Sequence, residues 1–228
     1  MKKTALLSLM FLLAVTAGAQ NKTELKTRLD SVSYSIGVDV ARNFKIQGVD
    51  LNLDMFVKGL RDIFEGSPLR CSDSGMEAVT NTYQRELMAK QSERAAQAGA
   101  KNKAEGVAFL EANKKKPGVV TTPSGLQYKI VKAGTGRKPL MSDTIVVNYK
   151  GTLIDGKEFD SSFKRGTPAT FRLGDVIRGW TEALQLMPVG STWEIYLPSD
   201  LAYGDRGAGA DIGPNATLIF EVELLAIK

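Results

Sequence analysis

The stretch Ile145-Val146-Val147-Asn148-Tyr149-Lys150 alternates Ile145, Val147 and Tyr149 with Val146, Asn148 and Lys150. A period of two marks a strand with one buried face. The same period returns twice downstream. Trp193, Ile195 and Leu197 alternate with Thr192, Glu194 and Tyr196, and Phe220, Val222 and Leu224 alternate with Glu221 and Glu223. Between these runs, Val176 to Leu186 places Ile177, Trp180 and Leu184 on a near-helical face and stops before Pro188. One short helix packed across a curved antiparallel sheet satisfies all of these patterns, giving an α+β domain of about 110 residues.

Upstream the chain changes character. Of the 22 glycines, 14 lie between Gly118 and Gly213, and seven of the eight prolines lie at or after Pro117. This clustering of turn formers divides the chain near Pro117-Gly118 into two regions of different architecture. The first region is helical. Phe56, Leu60, Ile63 and Phe64 share one face after the cap candidate Asn52, and Ile36, Val40 and Phe44 form a similar stripe that begins after Asp30-Ser31. No proline interrupts Ser72 to Lys116, where Met76, Val79, Tyr83 and Leu87 share a face. Ser92 to Ala108 is rich in Ala, Lys, Glu and Gln, and apolar character returns at Phe109-Leu110. A helix of roughly 40 residues is about 60 Å long, more than a small domain covers. It therefore protrudes, bridges or pairs, with its first stripe against another copy of the N-terminal helices and its polar middle standing in water as an arm. The alternative is a helix broken near Gly99 or Gly106 that folds back on its own domain, because each internal glycine costs about 1 kcal/mol.

With 43% hydrophobic and 24% charged residues, the 228-residue composition excludes a disordered or fibrous chain. Histidine is absent and Cys71 is the single cysteine, which excludes Ser-His-Asp and Cys-His catalysis, His-ligated or Cys-rich zinc, and an internal disulfide. No cofactor or metal is expected. Lys2-Lys3, the apolar run Ala5 to Val15, and Ala17-Gly18-Ala19 read as a secretory leader over residues 1–19, cut before Gln20, with a retained membrane anchor as the alternative. Without Lys2 and Lys3, the 30 basic residues fall to 28 against 25 acidic ones, a net charge of +3. With no dense basic block beyond Lys114 to Lys116, nucleic acid is not an expected partner.

Four segments carry a resemblance. Val147-Asn148-Tyr149-Lys150-Gly151, Gly156-Lys157-Glu158-Phe159-Asp160-Ser161-Ser162, Val176-Ile177-Arg178-Gly179-Trp180 and Ala216-Thr217-Leu218-Ile219-Phe220-Glu221-Val222 resemble the signature segments of FKBP-type peptidyl-prolyl cis-trans isomerases, in order and spacing. Upstream, Ser33-Tyr34-Ser35-Ile36-Gly37, the long helical segment, Phe109-Leu110-Glu111-Ala112-Asn113 and Ser124-Gly125-Leu126-Gln127-Tyr128 resemble the two-domain bacterial branch that contains the macrophage infectivity potentiator and the periplasmic chaperone-isomerases. The resemblance implies an all-α N-terminal homodimerisation region over residues 20–71, a connecting helix over 72–117 and an isomerase domain over 118–228. It also implies a periplasmic or cell-envelope location, with outer-membrane association as a further option. Partners would be proline-containing unfolded or partly folded polypeptides, and the isomerase pocket would be open to macrolide inhibitors.

By the same resemblance, Trp180 forms the floor under a substrate proline. Tyr149, Phe159, Phe171, Val176, Ile177, Ile212 and Phe220 line the walls. The Ile177 N–H and the Tyr203 hydroxyl bind substrate carbonyls, and Asp160, oriented by Tyr149 and Arg165, presents a fixed negative field. Such chemistry needs no nucleophile, because twisting the X-Pro amide removes its resonance and an apolar cavity favours the twisted form. Ala169 and Ala208 stand where small drug-binding members of the family carry an aromatic residue and a histidine, which implies a pocket wider on one side. Two further readings stay open: a holdase chaperone that works mainly through the N-terminal region, and an adaptor that docks a proline-containing partner without turnover.

Taken singly, these residues have plainer readings. Trp180 is a core residue, Asp160 a turn or cap residue before Ser161-Ser162, and Tyr203 a strand-end aromatic. Gly207-Ala208-Gly209-Ala210 is a mobile loop that lacks the context of a phosphate cradle. Lys114 to Lys116 is a solvated helix end, and Cys71 a small apolar residue in the turn before the long helix, with a regulated or intersubunit thiol as the alternative.

Overall fold

A computed structural model describes residues 24–228, and the expected leader lies outside them. The chain divides into two compact units, one ending at Ser72 and the other spanning Asp73–Lys228.

The first unit holds α1 (Arg28–Gln47) and α2 (Leu53–Phe64). Helix α1 starts before the Asp30-Ser31 expected from sequence. Thr27 is its N-cap, and Asp30 is the third helical residue of a capping box, with its carboxylate accepting from the Thr27 N–H at 2.8 Å. Asn52 caps α2 as expected, accepting from the Met55 N–H at 3.1 Å. The two stripes meet where Phe44 and Phe56 touch edge to face, 5.8 Å between centroids. Much of the apolar surface is not covered within the unit: Ile46 is 84% and Phe64 87% exposed.

The second unit begins with α3 (Asp73–Asn113), one unbroken helix of 41 residues. It is followed by β1 (Val119–Thr121), β2 (Gln127–Lys132), β3 (Thr144–Leu153), β4 (Glu158–Ser161), the single turn α4 (Ser162–Arg165), β5 (Ala169–Arg172), α5 (Arg178–Leu186), β6 (Thr192–Leu197) and β7 (Leu218–Ile227). The strands form one antiparallel sheet in the order β1-β2-β6-β7-β3-β4, and β5 also pairs with β3. On β3 and β7 the expected alternation holds: Ile145, Val147 and Tyr149 are buried, as are Phe220, Val222 and Leu224. Helix α5 presses Trp180, Ala183 and Leu184 onto this face and closes the core. Gly179 has to be a glycine, since a Cβ there would collide with Leu197.

Strand β6 departs from its pattern. Tyr196, expected on the outer face, is 7% exposed, because the ring of Phe109 on α3 lies over it at 6.0 Å. Burial and a hydrogen bond to Glu194 push the Tyr196 hydroxyl well above its ordinary pKa. The polar middle of α3 is therefore not wholly an arm in water. Residues 92–98 are exposed, but Gly99, Gly106 and Asn113 are buried within the unit. Neither glycine breaks the helix. They admit the loop before β7: a Cβ on Gly99 would stand 3.1 Å from Asn215 Nδ2, and one on Gly106 would collide with the Thr217 hydroxyl.

Asn113 fastens the end of α3. Its Nδ2 donates to Gln127 Oε1 at 3.0 Å, and Gln127 Nε2 donates to the Leu110 carbonyl at 2.9 Å. Asn113→Ala leaves the buried Gln127 oxygen unpaired and should destabilise the unit by about 1–3 kcal/mol in urea unfolding followed by tryptophan fluorescence. An unchanged midpoint would show that this junction contributes nothing.

Candidate active site

The site grows from the inner face of β3. Gly151 lies directly under the rings of Phe159 and Phe220, which would stand 2.6 Å and 2.8 Å from a Cβ at that position. Its lack of a side chain lets these two rings meet edge to face at 5.5 Å. Gly151 also pairs with Asp160 on β4, which sets the carboxylate at the rim. The next residue, Ser161, caps α4 and Ser162 is fully buried, its hydroxyl accepting from the Tyr149 N–H at 2.9 Å. Helix α4 then ends at Gly166 in the left-handed conformation, φ 72°, and delivers Arg165 to Asp160.

Tyr149, Asp160 and Arg165 form a closed triangle. The Tyr149 hydroxyl and Arg165 Nη1 donate to separate oxygens of Asp160, and Arg165 Nη2 donates to the Tyr149 oxygen at 2.8 Å. The guanidinium also lies 5.4 Å from the centre of the Tyr149 ring. Burial opposes ionisation of Asp160, but the hydrogen bonds from Tyr149 and Arg165 outweigh it and hold the carboxyl below its ordinary value. Burial and the neighbouring carboxylate raise the Tyr149 phenol in turn. The result is a fixed anion and a fixed neutral donor.

Trp180 sits at the start of α5, 4% exposed, as the hub of the rings. It meets Tyr149 at 5.1 Å, Phe220 at 5.2 Å and Phe171 at 5.8 Å, with interplanar angles of 88°, 83° and 90°. Edge-to-face contacts of this kind add about 0.5–1.5 kcal/mol each beyond area burial. They leave the indole held from several sides.

These residues enclose one cavity of about 540 Å³. Tyr149, Phe159, Asp160, Phe171, Trp180 and Phe220 line it from the sheet and α5, while Val176, Ile177, Tyr203 and Ile212 line it from loops. The residues selected from sequence thus converge here, with Arg165 standing behind Asp160 and not on the lining. Among the described residues, neither the Ile177 N–H nor the Tyr203 hydroxyl has a hydrogen-bond partner. Ala208 lines the cavity, but Ala169, paired with Val147 on β5, does not. Sequence reading missed Asp175, Gly209, Ala210 and Asp211 on the rim. Asp211 is tied to Lys157, which does not line the cavity, at 2.8 Å. Short polar residues in glycine-rich turns carry no periodic signal, and only the place of Asp175 just before Val176-Ile177 could have marked it.

Residues 135–225 match the family model for FKBP-type peptidyl-prolyl cis-trans isomerase, and residues 29–130 match that for the domain amino terminal to FKBP-type peptidyl-prolyl isomerase. The chain is 53% identical to the outer membrane protein MIP of Legionella longbeachae over 216 residues, covering 95% of this chain and 93% of the relative. It is 44% identical to the peptidyl-prolyl cis-trans isomerase Mip of Coxiella burnetii, covering 97% and 96%. The crystal structure of FkpA from Escherichia coli superposes with a TM-score of 0.67 at 38% identity, covering 90% of this chain and 99% of that one. A ring-lined pocket with no histidine, the shared architecture and these relatives converge: the chain belongs to the FKBP-type peptidyl-prolyl cis-trans isomerases, in the two-domain branch of Mip and FkpA.

Proposed function

We propose that the cavity floored by Trp180 is where this isomerase turns X-Pro bonds, and that it works by stabilising the twisted amide without moving a proton. The X-Pro bond is held by resonance, with a barrier of about 18–20 kcal/mol. Twisting returns the lone pair to nitrogen and makes the group less amide-like, so a dry, apolar cavity favours the transition state over the solvated planar amide. The proline ring rests on the indole, and the Ile177 N–H and Tyr203 hydroxyl, both without partners among the described residues, donate to flanking substrate carbonyls. Asp160 supplies an oriented field at the swinging carbonyl. The observation that carries this reading is the Trp180 hub, a buried floor held by three rings at the base of an open cavity.

In a refolding reaction limited by X-Pro isomerisation, Trp180→Ala and Asp160→Leu should each lower the catalysed rate at least about tenfold, about 1.4 kcal/mol of barrier. Both variants should keep the far-ultraviolet spectrum of the parent. Full activity in either folded variant would refute its assigned role. With Asp160 lowered it stays charged as pH falls toward the ordinary carboxylate value of about 3.9, and with Tyr149 raised it keeps its proton past about 10. The wild-type rate should therefore be flat between about pH 5 and 9. Because its folded value is depressed, Asp160 contributes stability above the unfolded value and loses it as pH falls through the folded one. A midpoint near neutrality would contradict the assignment.

The first unit suggests the assembly. Ile36, Val40, Phe44, Phe56, Leu60 and Phe64 line an apolar groove of about 910 Å³. A surface of this kind, with Phe64 87% exposed, is costly to leave in water. We propose that a second copy covers it, making a homodimer, and that its margins also hold unfolded chains, as in the chaperone reading. Phe64→Glu should shift the sedimenting species from twice the monomer mass to the monomer mass. A wild-type monomer at micromolar concentration would refute the dimer. The relatives named as outer membrane protein and as Mip support a location in the cell envelope. No described helix is long and apolar enough to cross a membrane. A macrolide would have to occupy the same pocket, with less contact where Ala208 lines it.

A further inference from the structure

Tyr203 and Ile212, two residues that line the cavity, lie just outside and near the far end of the loop 204–215. This loop is tied to itself. The Asn215 N–H donates to the Gly204 carbonyl at 2.8 Å and closes the neck, while Ala208 and Ile212 exchange backbone hydrogen bonds at 2.8 Å and 3.1 Å near the tip. Asn215 is in the left-handed conformation, φ 54°, a region that asparagine enters more readily than most non-glycine residues.

What holds the neck is α3. Asn102 Nδ2 donates to the Pro214 carbonyl at 2.8 Å, joining residues 112 apart in sequence. Proline has no N–H, so this carbonyl is the one backbone hydrogen-bonding group Pro214 has. On either side of Asn102 the helix is cut back to glycine. Gly99 faces Pro214 and Asn215, and Gly106 faces Thr217, so that the backbone of α3 comes down onto residues 213–217. No residue of α3 lines the cavity itself.

We propose that Asn102 is a positioning residue for the isomerase: by holding Pro214, it sets the loop that carries Ile212 and fixes the neck beside Tyr203. The long helix is thus part of the catalytic machinery's frame as well as a connection. This inference rests on the reading of the cavity as the isomerase site. Misplacement of binding groups by about 1 Å is enough to degrade catalysis without touching the chemistry. Since Tyr203 and Ile212 meet substrate in both ground and transition states, losing their placement should raise KM and leave kcat nearly intact.

The test uses the full chain with Asn102→Asp, which turns an acceptor toward the Pro214 carbonyl, and Asn102→Ala, which removes the donor. Steady-state rates on a proline-containing peptide are read together with amide hydrogen exchange. The proposal expects KM to rise at least about threefold with kcat within about twofold of the parent. Exchange at the Ala208 and Ile212 amides should accelerate at least about tenfold, with Val147 and Tyr149 on β3 unchanged. Unchanged exchange at Ala208 and Ile212 overturns the proposal, as does faster exchange with KM unmoved. A fall in kcat at constant KM, the mark of a merely unstable protein, also overturns it. If one variant does not fold, the other decides. Failure of the site reading is separate: it would appear as full activity in Trp180→Ala and Asp160→Leu, whereas failure of this proposal leaves their losses in place.

Discussion

The indole of Trp180 has to be buried and still present a face to a cavity, and the second unit is arranged around that demand. In the proposed role, a tryptophan at the surface would bind proline only weakly through exclusion of water, while one sealed in the core would bind nothing. The conflict is met by placing Trp180 in the first turn of a short helix that lies across the sheet, with Tyr149, Phe171 and Phe220 meeting it edge to face. Gly179 lets the helix approach Leu197, and Gly151 lets Phe159 and Phe220 close over β3. Side-chain volume is removed at those two glycines and concentrated in the rings, and the cavity is the space between them.

The polar part of the site follows a similar economy. An isolated carboxylate at the edge of an apolar cavity would be driven toward its neutral form by desolvation. Tyr149 and Arg165 reverse that tendency, and Arg165 also binds the phenol oxygen, so each member of the triangle has a partner. A group arranged in this way is poorly suited to exchanging protons and well suited to holding a charge still. In the proposed mechanism one amide changes its environment and no acid or base acts, so a sequence without histidine can carry it out.

The sequence showed its strands where burial is one-sided. Ile145, Val147 and Tyr149, and Phe220, Val222 and Leu224, alternate because one sheet face is core and the other is solvent. Tyr196 broke the rule because Phe109, from an element more than eighty positions upstream, covers the outer face there, and a local period cannot report a distant partner. The docking of α3 was hidden for another reason. Its contact surface consists of Gly99, Asn102, Gly106 and Asn113, which fit by being small or by hydrogen bonding, and apolar periodicity does not register either. Helix α1 starts before the stripe that follows Asp30-Ser31 because its first turn is fixed by polar groups, the capping box of Thr27 and Asp30, which apolar periodicity does not register. Within the cavity, the aromatic walls were legible through the family resemblance. The rim residues lie in turns set by distant partners: Asp211 is paired with Lys157, and Asp175 ends the turn Leu173–Asp175, whose Leu173 N–H donates to the Asp143 carbonyl.

The claim at the centre of this account is that the barrier falls through stabilisation of a twisted amide, with no proton in flight. The solvent isotope effect on kcat/KM for a proline-containing peptide tests it most directly, comparing ordinary and heavy water at matched positions on the flat part of the pH profile. The account predicts a ratio of about 1, because neither Asp160 nor Tyr203 transfers a proton in the transition state. A normal effect of about 2 or more would place a proton transfer in the rate-determining step and contradict it.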